Sequence, residues 1–347
     1  MNILIRADGG LRLGFGHLVR CLTLAAELMR AGHRVTLVCR AQAGLPEDWV
    51  RASGCDLHLL PDETGPEADA VACGQLVAQG AIDAVVVDHY ELTAAWEQVV
   101  GAGGCGVLAI DDMANRPHRC DMLLDQNYHL DAAARYASLI PVGTRCLLGP
   151  EYALLRPAFA AERRTTEPRR GQVGHVLVFF SGGDDQGQTR MAMDALRAWR
   201  QGVNVDVVVG HATPGKEEIE AACRDYGYNF HCQIDYMAVL LAKADLVIGA
   251  PSTTSWERCA VGAPALLTVL AENQRALGKS LAEYGAVRLI GDAREVMAQD
   301  YLAALRQLSG SDIATMSQRA WSLVDGQGAS RVCLAMEEMV AARRRAR

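Results

Sequence analysis

Two stretches near the start of this 347-residue chain carry residue types suited to acid–base chemistry. The first runs Ala7-Asp8-Gly9-Gly10, then Gly14-Phe15-Gly16-His17, a glycine-rich loop between an apolar run and a helix-patterned one. Gly14 and Gly16 let a backbone approach a ligand closely, and a helix N-terminus behind them favours negative charge. His17 falls in the first turn of that helix, where the dipole disfavours the imidazolium and leaves a ring able to accept a proton. A histidine that only caps or packs would occupy the same place. The second stretch, Val87-Asp88-His89-Tyr90, closes another apolar run: Asp88 is suited to orient His17 or bind a sugar hydroxyl, and Tyr90 to line a sugar pocket.

The glycine loop departs from two nucleotide signatures. Val19 stands where G-x-G-x-x-G needs its third glycine, Cys39-Arg40 stands where a ribose-binding acid is expected, and no G-x-x-x-x-G-K-[ST] exists. A nicotinamide dinucleotide and an ATP-splitting P-loop are both disfavoured, and no cofactor is expected. Asp111, Asp112, Asp121 and Asp125 end strands or open turns, which suits loop caps better than a metal cage, so no metal is expected either.

The second half offers binding chemistry. Ser181-Gly182-Gly183-Asp184 makes a turn whose N–H groups can face a phosphate, or a plain tight turn. Pro251-Ser252-Thr253-Thr254-Ser255-Trp256-Glu257 places four hydroxyl residues where a strand gives way to a helix, an arrangement suited to a diphosphate. Glu257 in the first turns suits ribose hydroxyls, or is simply a favourable first-turn acid. Asn273-Gln274 follows another buried run and supplies amides, which donate and accept together as sugar hydroxyls require.

What positions these residues is an alternation of elements. Apolar, β-branched runs at 2–6, 34–39, 56–60, 84–88, 107–111 and 122–125 suit strands buried on both faces. Helical spacing lies between them, clearest at 17–31, where Leu18, Cys21, Leu22, Ala25, Leu28 and Met29 share a stripe that ends at Gly32. The alternation restarts at 175–180 and continues through 205–209, 229–232, 246–249, 265–269 and 287–290. This predicts an α/β protein of two Rossmann-like domains, 1–160 and 175–347, joined by an arginine- and threonine-rich linker over 161–174. A helix is expected over 317–339, followed by a solvated basic tail at Arg343-Arg344-Arg345.

Composition narrows the partners. Half the residues are hydrophobic, which is enough apolar surface to exclude wholesale disorder. A net charge of −7 with interspersed signs gives no footprint for nucleic acid. No apolar run approaches the ~20 residues of a membrane span. Eleven cysteines without a C-x-x-C pair read as reduced thiols of a cytoplasmic protein. Oligomeric state is not specified by residue types.

Taken in order, Arg6-Ala7-Asp8, Gly14 to His17 with Arg20, Asp88-His89-Tyr90, Asp111-Asp112 with His118 to Asp121, Tyr152 to Arg156, Gly182-Gly183 with Asp184 or Asp185, Glu257 and Asn273-Gln274 resemble the UDP-sugar hydrolases of pseudaminic acid biosynthesis. That family removes UDP from UDP-2,4-diacetamido-2,4,6-trideoxy-β-L-altrose and is similar in fold to the GT-B transferase that makes lipid II. The resemblance implies a GT-B-like arrangement, with two parallel sheets facing across a cleft. It implies that His17 is the base, that Asp8, Gly14, Gly16, Tyr90, Arg156, Asn273 and Gln274 bind the substrate, with Tyr90 and Asn273 lining the sugar, and that Gly182, Gly183, Ile234, Ser252, Thr253, Thr254 and Glu257 meet UDP. Pro251-Ser252 departs from the glycine expected at the phosphate turn. A UDP-sugar transferase, a legionaminate-type hydrolase and a non-catalytic binding protein are the alternatives.

Overall fold

A computed structural model describes residues 1–10, 14–199 and 202–346; positions 11–13 of the glycine loop lie outside it. Two units are present. The first contains a seven-stranded sheet of β1 (Asn2–Ala7), β2 (Arg34–Arg40), β3 (Asp56–Leu60), β4 (Ala84–Asp88), β5 (Gly106–Ile110), β6 (Met122–Asp125) and β7 (Arg145–Leu148), in the order β3-β2-β1-β4-β5-β6-β7. The second contains six strands, β8 (His175–Phe179), β9 (Asn204–Val209), β10 (Asn229–Cys232), β11 (Leu246–Gly249), β12 (Ala265–Val269) and β13 (Val287–Asp292), in the order β10-β9-β8-β11-β12-β13. All strand pairs are parallel. Both units are Rossmann-like, as the alternation predicts.

Helices pack on the sheets, which is why β4, β5, β6, β11 and β12 are buried at every residue. Within β1 the side chains alternate: Ile3 and Ile5 join Leu18, Leu24 and Leu28 on one face, and Leu4 joins Val77, Trp96 and Val100 on the other. Every residue of β4 is buried. In both sheets chain order reverses beside the first strand, between β1 and β4 and between β8 and β11. The C-terminal ends of those strands form the crevice where open α/β sheets bind ligands.

The domain limits differ from those expected. The first unit comprises Met1–Leu155 together with the chain from Gln327 onward, and the second comprises Arg156–Gly326. The final helix, Gly328–Ala346, therefore returns to the first unit, where Val332, Met336, Met339 and Val340 enter the core beside Leu28. Burying each such side chain contributes roughly 1.5–3 kcal/mol, ample reason to return. The single helix expected over 317–339 is accordingly two, Gly310–Leu323 and Gly328–Ala346, separated where Val324 turns extended.

Nor is 161–174 a free linker. Arg169 is 9% exposed and donates to the carbonyls of Leu241, Ala242, Ala244 and Val261, collecting the free C-terminal carbonyls of helix Met237–Lys243. Burial, only partly offset by Asp245, pushes its pKa down to about 10. Arg163 stacks 3.5 Å above the Trp321 ring and donates to the carbonyls of Ala260, Trp321 and Val324. The arginines that read as linker composition instead staple the second unit. The basic tail is also engaged: Arg343 pairs with Asp121 at 2.5 Å and Arg344 with Asp83 at 2.6 Å. β7 has no counterpart among the expected strands; only one of its four residues, Leu147, is buried, and its apolar stretch is just Cys146-Leu147-Leu148.

Candidate functional site

The strongest chemistry lies at the β1/β4 switch of the first unit. The loop after β1 closes on itself through Gly14 N–H to Gly10 O (2.9 Å) and Gly10 N–H to Gly14 O (3.1 Å). Gly14 does so at φ +76°, a left-handed conformation open to glycine at no steric cost. The helix Gly16–Arg30 starts at once, with no side-chain cap, which puts His17 in its first turn at the sheet edge. Asp88, the last residue of β4, waits beside it. His17 Nδ1 is 2.6 Å from Asp88 Oδ1, and Arg20 donates Nε to Oδ2 (2.5 Å) and Nη2 to Oδ1 (2.6 Å). Asp88 is 1% exposed; burial raises its pKa, but Arg20 and His17 outweigh burial and hold it well below the ordinary carboxylate range.

A carboxylate only accepts, so Nδ1 is the donor of the pair, and in that tautomer a neutral ring presents the Nε2 lone pair; Arg20 Nη2 also lies 3.1 Å from Nδ1. The Tyr90 ring stands edge-on to His17, 4.7 Å between centroids, and its hydroxyl lies 3.5 Å from Asp112 Oδ2. Tyr90 is 44% exposed, as a pocket wall should be. The geometry is the one required of a base with an orienting acid, the acid itself clamped by a bidentate guanidinium. Arg20 had no role in the reading of residue types; its signal is the His-x-x-Arg spacing, which places both side chains on one helix face.

Asp8 proves different from expectation. At 1% exposure it accepts from Arg6 Nη1 (2.5 Å), Arg6 Nη2 (3.1 Å), Arg40 N–H (2.8 Å) and Arg40 Nε (2.6 Å), with His89 Nε2 at 3.0 Å. Both oxygens are spent, so it is a knot between the ends of β1, β2 and β4, not a contact for sugar. Arg6 extends the knot to Asp69 (2.9 and 2.7 Å), which also accepts from the Trp96 indole (2.8 Å). No local spacing announces this network, because its members come from different strands and helices.

The neighbouring acids are mostly caps, as expected. Asp111 accepts from Ala114 N–H (2.8 Å), Asp125 from Asn127 N–H (2.9 Å) and Asp121 from Val107 N–H (2.8 Å). His118 bridges Glu97 (2.7 Å) and Asp111 (3.8 Å). Burial lowers its pKa, but these two carboxylates outweigh burial and bring it up to about 9. The one His/Cys/Glu group among the described residues with ligand atoms within 4.8 Å of one another is His33, Cys333 and Glu337. It sits beside the start of β2, at the sheet end opposite His17.

In the second unit, the loops after β8, β11 and β12 hold the expected binding residues at one edge. Gly182 and Gly183 follow β8, and their loop passes over Gly210, where any Cβ would come within 1.9 Å of Gly182 O. Gln186 Nε2 ties that loop to Leu270 O beyond β12 (2.9 Å). Ser252 and Thr254 share a hydroxyl hydrogen bond (2.8 Å), and their amide N–H groups go to Ser255 Oγ and Ser252 Oγ (both 3.3 Å). This leaves fewer N–H groups for a diphosphate than the residue types suggest, and the helix they open, Thr254–Ala260, has only seven residues. Arg156 reaches Glu257 (3.8 Å) and donates to Asp235 O (3.3 Å), beside Ile234. Burial raises the Glu257 pKa against the pull of Arg156 and Arg258. Asn273 is exposed in the first turn of Glu272–Tyr284, whereas Gln274 Oε1 is occupied by Leu270 N–H (2.9 Å), leaving only its NH2 to a ligand.

Two Rossmann-like units of this build define a GT-B fold. The structure matches that of MurG from Acinetobacter baumannii with a TM-score of 0.67 at 15% identity, over 97% of this chain and 99% of that one. In sequence, the chain is similar to the UDP-2,4-diacetamido-2,4,6-trideoxy-β-L-altropyranose hydrolase of Campylobacter jejuni, 27% identical over 171 residues, 49% of this chain and 57% of that protein. It is equally similar to the spore coat polysaccharide biosynthesis protein SpsG of Bacillus subtilis, 27% identical over 204 residues, 56% of this chain and 59% of that protein. The matches span somewhat over half the length of these curated relatives. No protein-family model matches the chain. No helix among the described residues is long and apolar enough to cross a membrane.

Proposed function

We propose that the chain is an enzyme that hydrolyses a UDP-linked 2,4-diacetamido-trideoxy sugar of nonulosonate biosynthesis at its anomeric carbon. The observation that carries this reading is the His17–Asp88–Arg20 arrangement at the β1/β4 switch, on a fold shared with a glycosyltransferase and in a chain resembling a UDP-sugar hydrolase. His17 Nε2 takes a proton from water as the water oxygen bonds to C1. The C1–O bond to the diphosphate breaks with inversion, and UDP leaves with the bonding pair. Asp88 stabilises the imidazolium formed in the process. UDP is a good leaving group, so no strong general acid is needed, and the base is a histidine where a glycosidase would use a pair of carboxylates. Ile234, Glu257 and the Gly182-Gly183 and Ser252–Thr254 loops are the assigned nucleotide contacts, and Arg156 helps to hold the substrate. Tyr90 and Asn273 are the assigned sugar contacts, and no metal or cofactor is invoked.

The test is UDP release from the diacetamido UDP-sugar without any acceptor, with the anomeric product followed by NMR. His17→Ala should lower turnover roughly a hundredfold or more while UDP binding is kept. UDP release that requires an added alcohol would make the chain a transferase. A variant keeping more than a tenth of wild-type turnover would remove His17 from the mechanism.

A further inference from the structure

Asp112 follows β5 at the same sheet edge, and its two oxygens are unequal. Oδ2 is engaged, by Arg20 Nη1 at 3.3 Å and the Tyr90 hydroxyl at 3.5 Å. Oδ1 is buried and has no hydrogen-bond partner among the described residues. The side chain as a whole is 19% exposed, so the residue lies near the surface at this sheet edge and not deep in the core. Buried polar atoms are nearly always paired, and one left bare is destabilising, more so on a charged group. The bare oxygen also lies in a telling place: Arg20 connects Asp112 to Asp88, and Tyr90 connects it to His17.

The chemistry of the missing partner follows from what surrounds it. The side-chain donors on the Asp112 carboxylate, Arg20 Nη1 and the Tyr90 hydroxyl, are both on Oδ2, and Arg135 Nη2 donates to the Asp112 backbone carbonyl. A hydroxyl arriving at Oδ1 would donate to it while its own oxygen still required a donor at the same spot. An amide N–H only donates, and the carbonyl of a trans amide points the opposite way, so its oxygen is met elsewhere. We propose that Asp112 Oδ1 accepts the N–H of an acylamino substituent of the sugar, and that this contact selects N-acylated sugars. The inference rests on the UDP-sugar reading above and adds the residue that recognises the acylamino group.

The experiment compares the diacetamido UDP-sugar with two analogues in which one acetamido group, at C2 or at C4, becomes an O-acetyl ester of the same shape without the N–H. Wild type, Asp112→Ala and Asp112→Asn are assayed for kcat/KM by UDP release, and for affinity by calorimetry. Asn keeps the shape but turns an NH2 toward the ligand, because its oxygen must face Arg20. Wild type should discriminate against one of the two esters by roughly 10- to 150-fold, the range of a hydrogen bond to a charged group. Both variants should reduce that ratio below about threefold with UDP affinity unchanged, a selective effect that mere loosening of Arg20 does not produce. Equal use of amide and esters by wild type, or full discrimination kept by both variants, overturns the assignment. Discrimination in affinity without UDP release would refute hydrolysis while leaving the Asp112 contact standing.

Discussion

Replacing Asp88 with Asn isolates the orienting step. The wild-type carboxylate meets donors at both oxygens: Arg20 Nε at Oδ2, and His17 Nδ1 with Arg20 Nη2 at Oδ1. An amide offers one oxygen and one NH2. If the NH2 faces Arg20 Nε, two donors oppose each other at 2.5 Å. If it faces His17, Nδ1 must become the acceptor, which moves the ring proton to Nε2, the atom that must receive the proton of water. Either outcome disables the base. An Asp→Asn exchange behind a catalytic histidine costs up to about ten-thousandfold through the wrong tautomer, so turnover should fall between about a hundredfold and ten-thousandfold, roughly 3–5 kcal/mol of barrier. Arg20, 6% exposed, would keep a charged partner only in Asp112 at 3.3 Å, and leaving a buried charge short of its partner costs about 3–5 kcal/mol of stability. The assay is therefore UDP release well below the variant's melting temperature, normalised to folded protein by circular dichroism, with UDP affinity as the control. A folded Asp88→Asn protein turning over at more than a tenth of wild type would refute the orienting role.

Glu257→Ala should weaken UDP binding by about 1–3 kcal/mol, the value of charge-assisted hydrogen bonds to ribose, and an unchanged dissociation constant in calorimetry counts against the assignment. Turnover should persist in excess EDTA; activity lost there and restored by magnesium would mean that a metal neutralises the diphosphate. His118 has its pKa raised to about 9 in the folded chain against ~6.5 unfolded, so its stabilising contribution is complete below about pH 6.5 and disappears as pH rises through 9. That is at most on the order of 3 kcal/mol. The urea midpoint of wild type should fall over this window while that of His118→Gln stays flatter, and parallel curves would exclude His118 as the source.

Much of this was legible because it is local. Strands buried on both faces must be apolar throughout, so β4, β5, β6, β11 and β12 are visible as runs, and with the partly buried apolar stretches around them their alternation with helical spacing specifies two parallel sheets. A glycine loop leading into a helix puts His17 at a sheet edge, and Asp88 and Tyr90 mark the end of the adjoining strand. What sequence alone could not decide depends on residues brought together from distant positions. Asp8 has the type and place of a ligand contact, yet Arg6, Arg40 and His89 from three strand ends consume both of its oxygens. Arg169 has linker composition, yet the carbonyls at the end of a helix more than seventy residues away take up its guanidinium. The helix Gly328–Ala346 continues the second unit in sequence but belongs to the first, because its apolar face is satisfied only against Leu28 and its neighbours. Asp112 is the sharpest case: residue type says only that it caps a strand, and the three-dimensional arrangement alone leaves one oxygen without a partner. Periodicity and turn chemistry are written in neighbouring residues, whereas hydrogen-bond satisfaction is a property of the assembled fold.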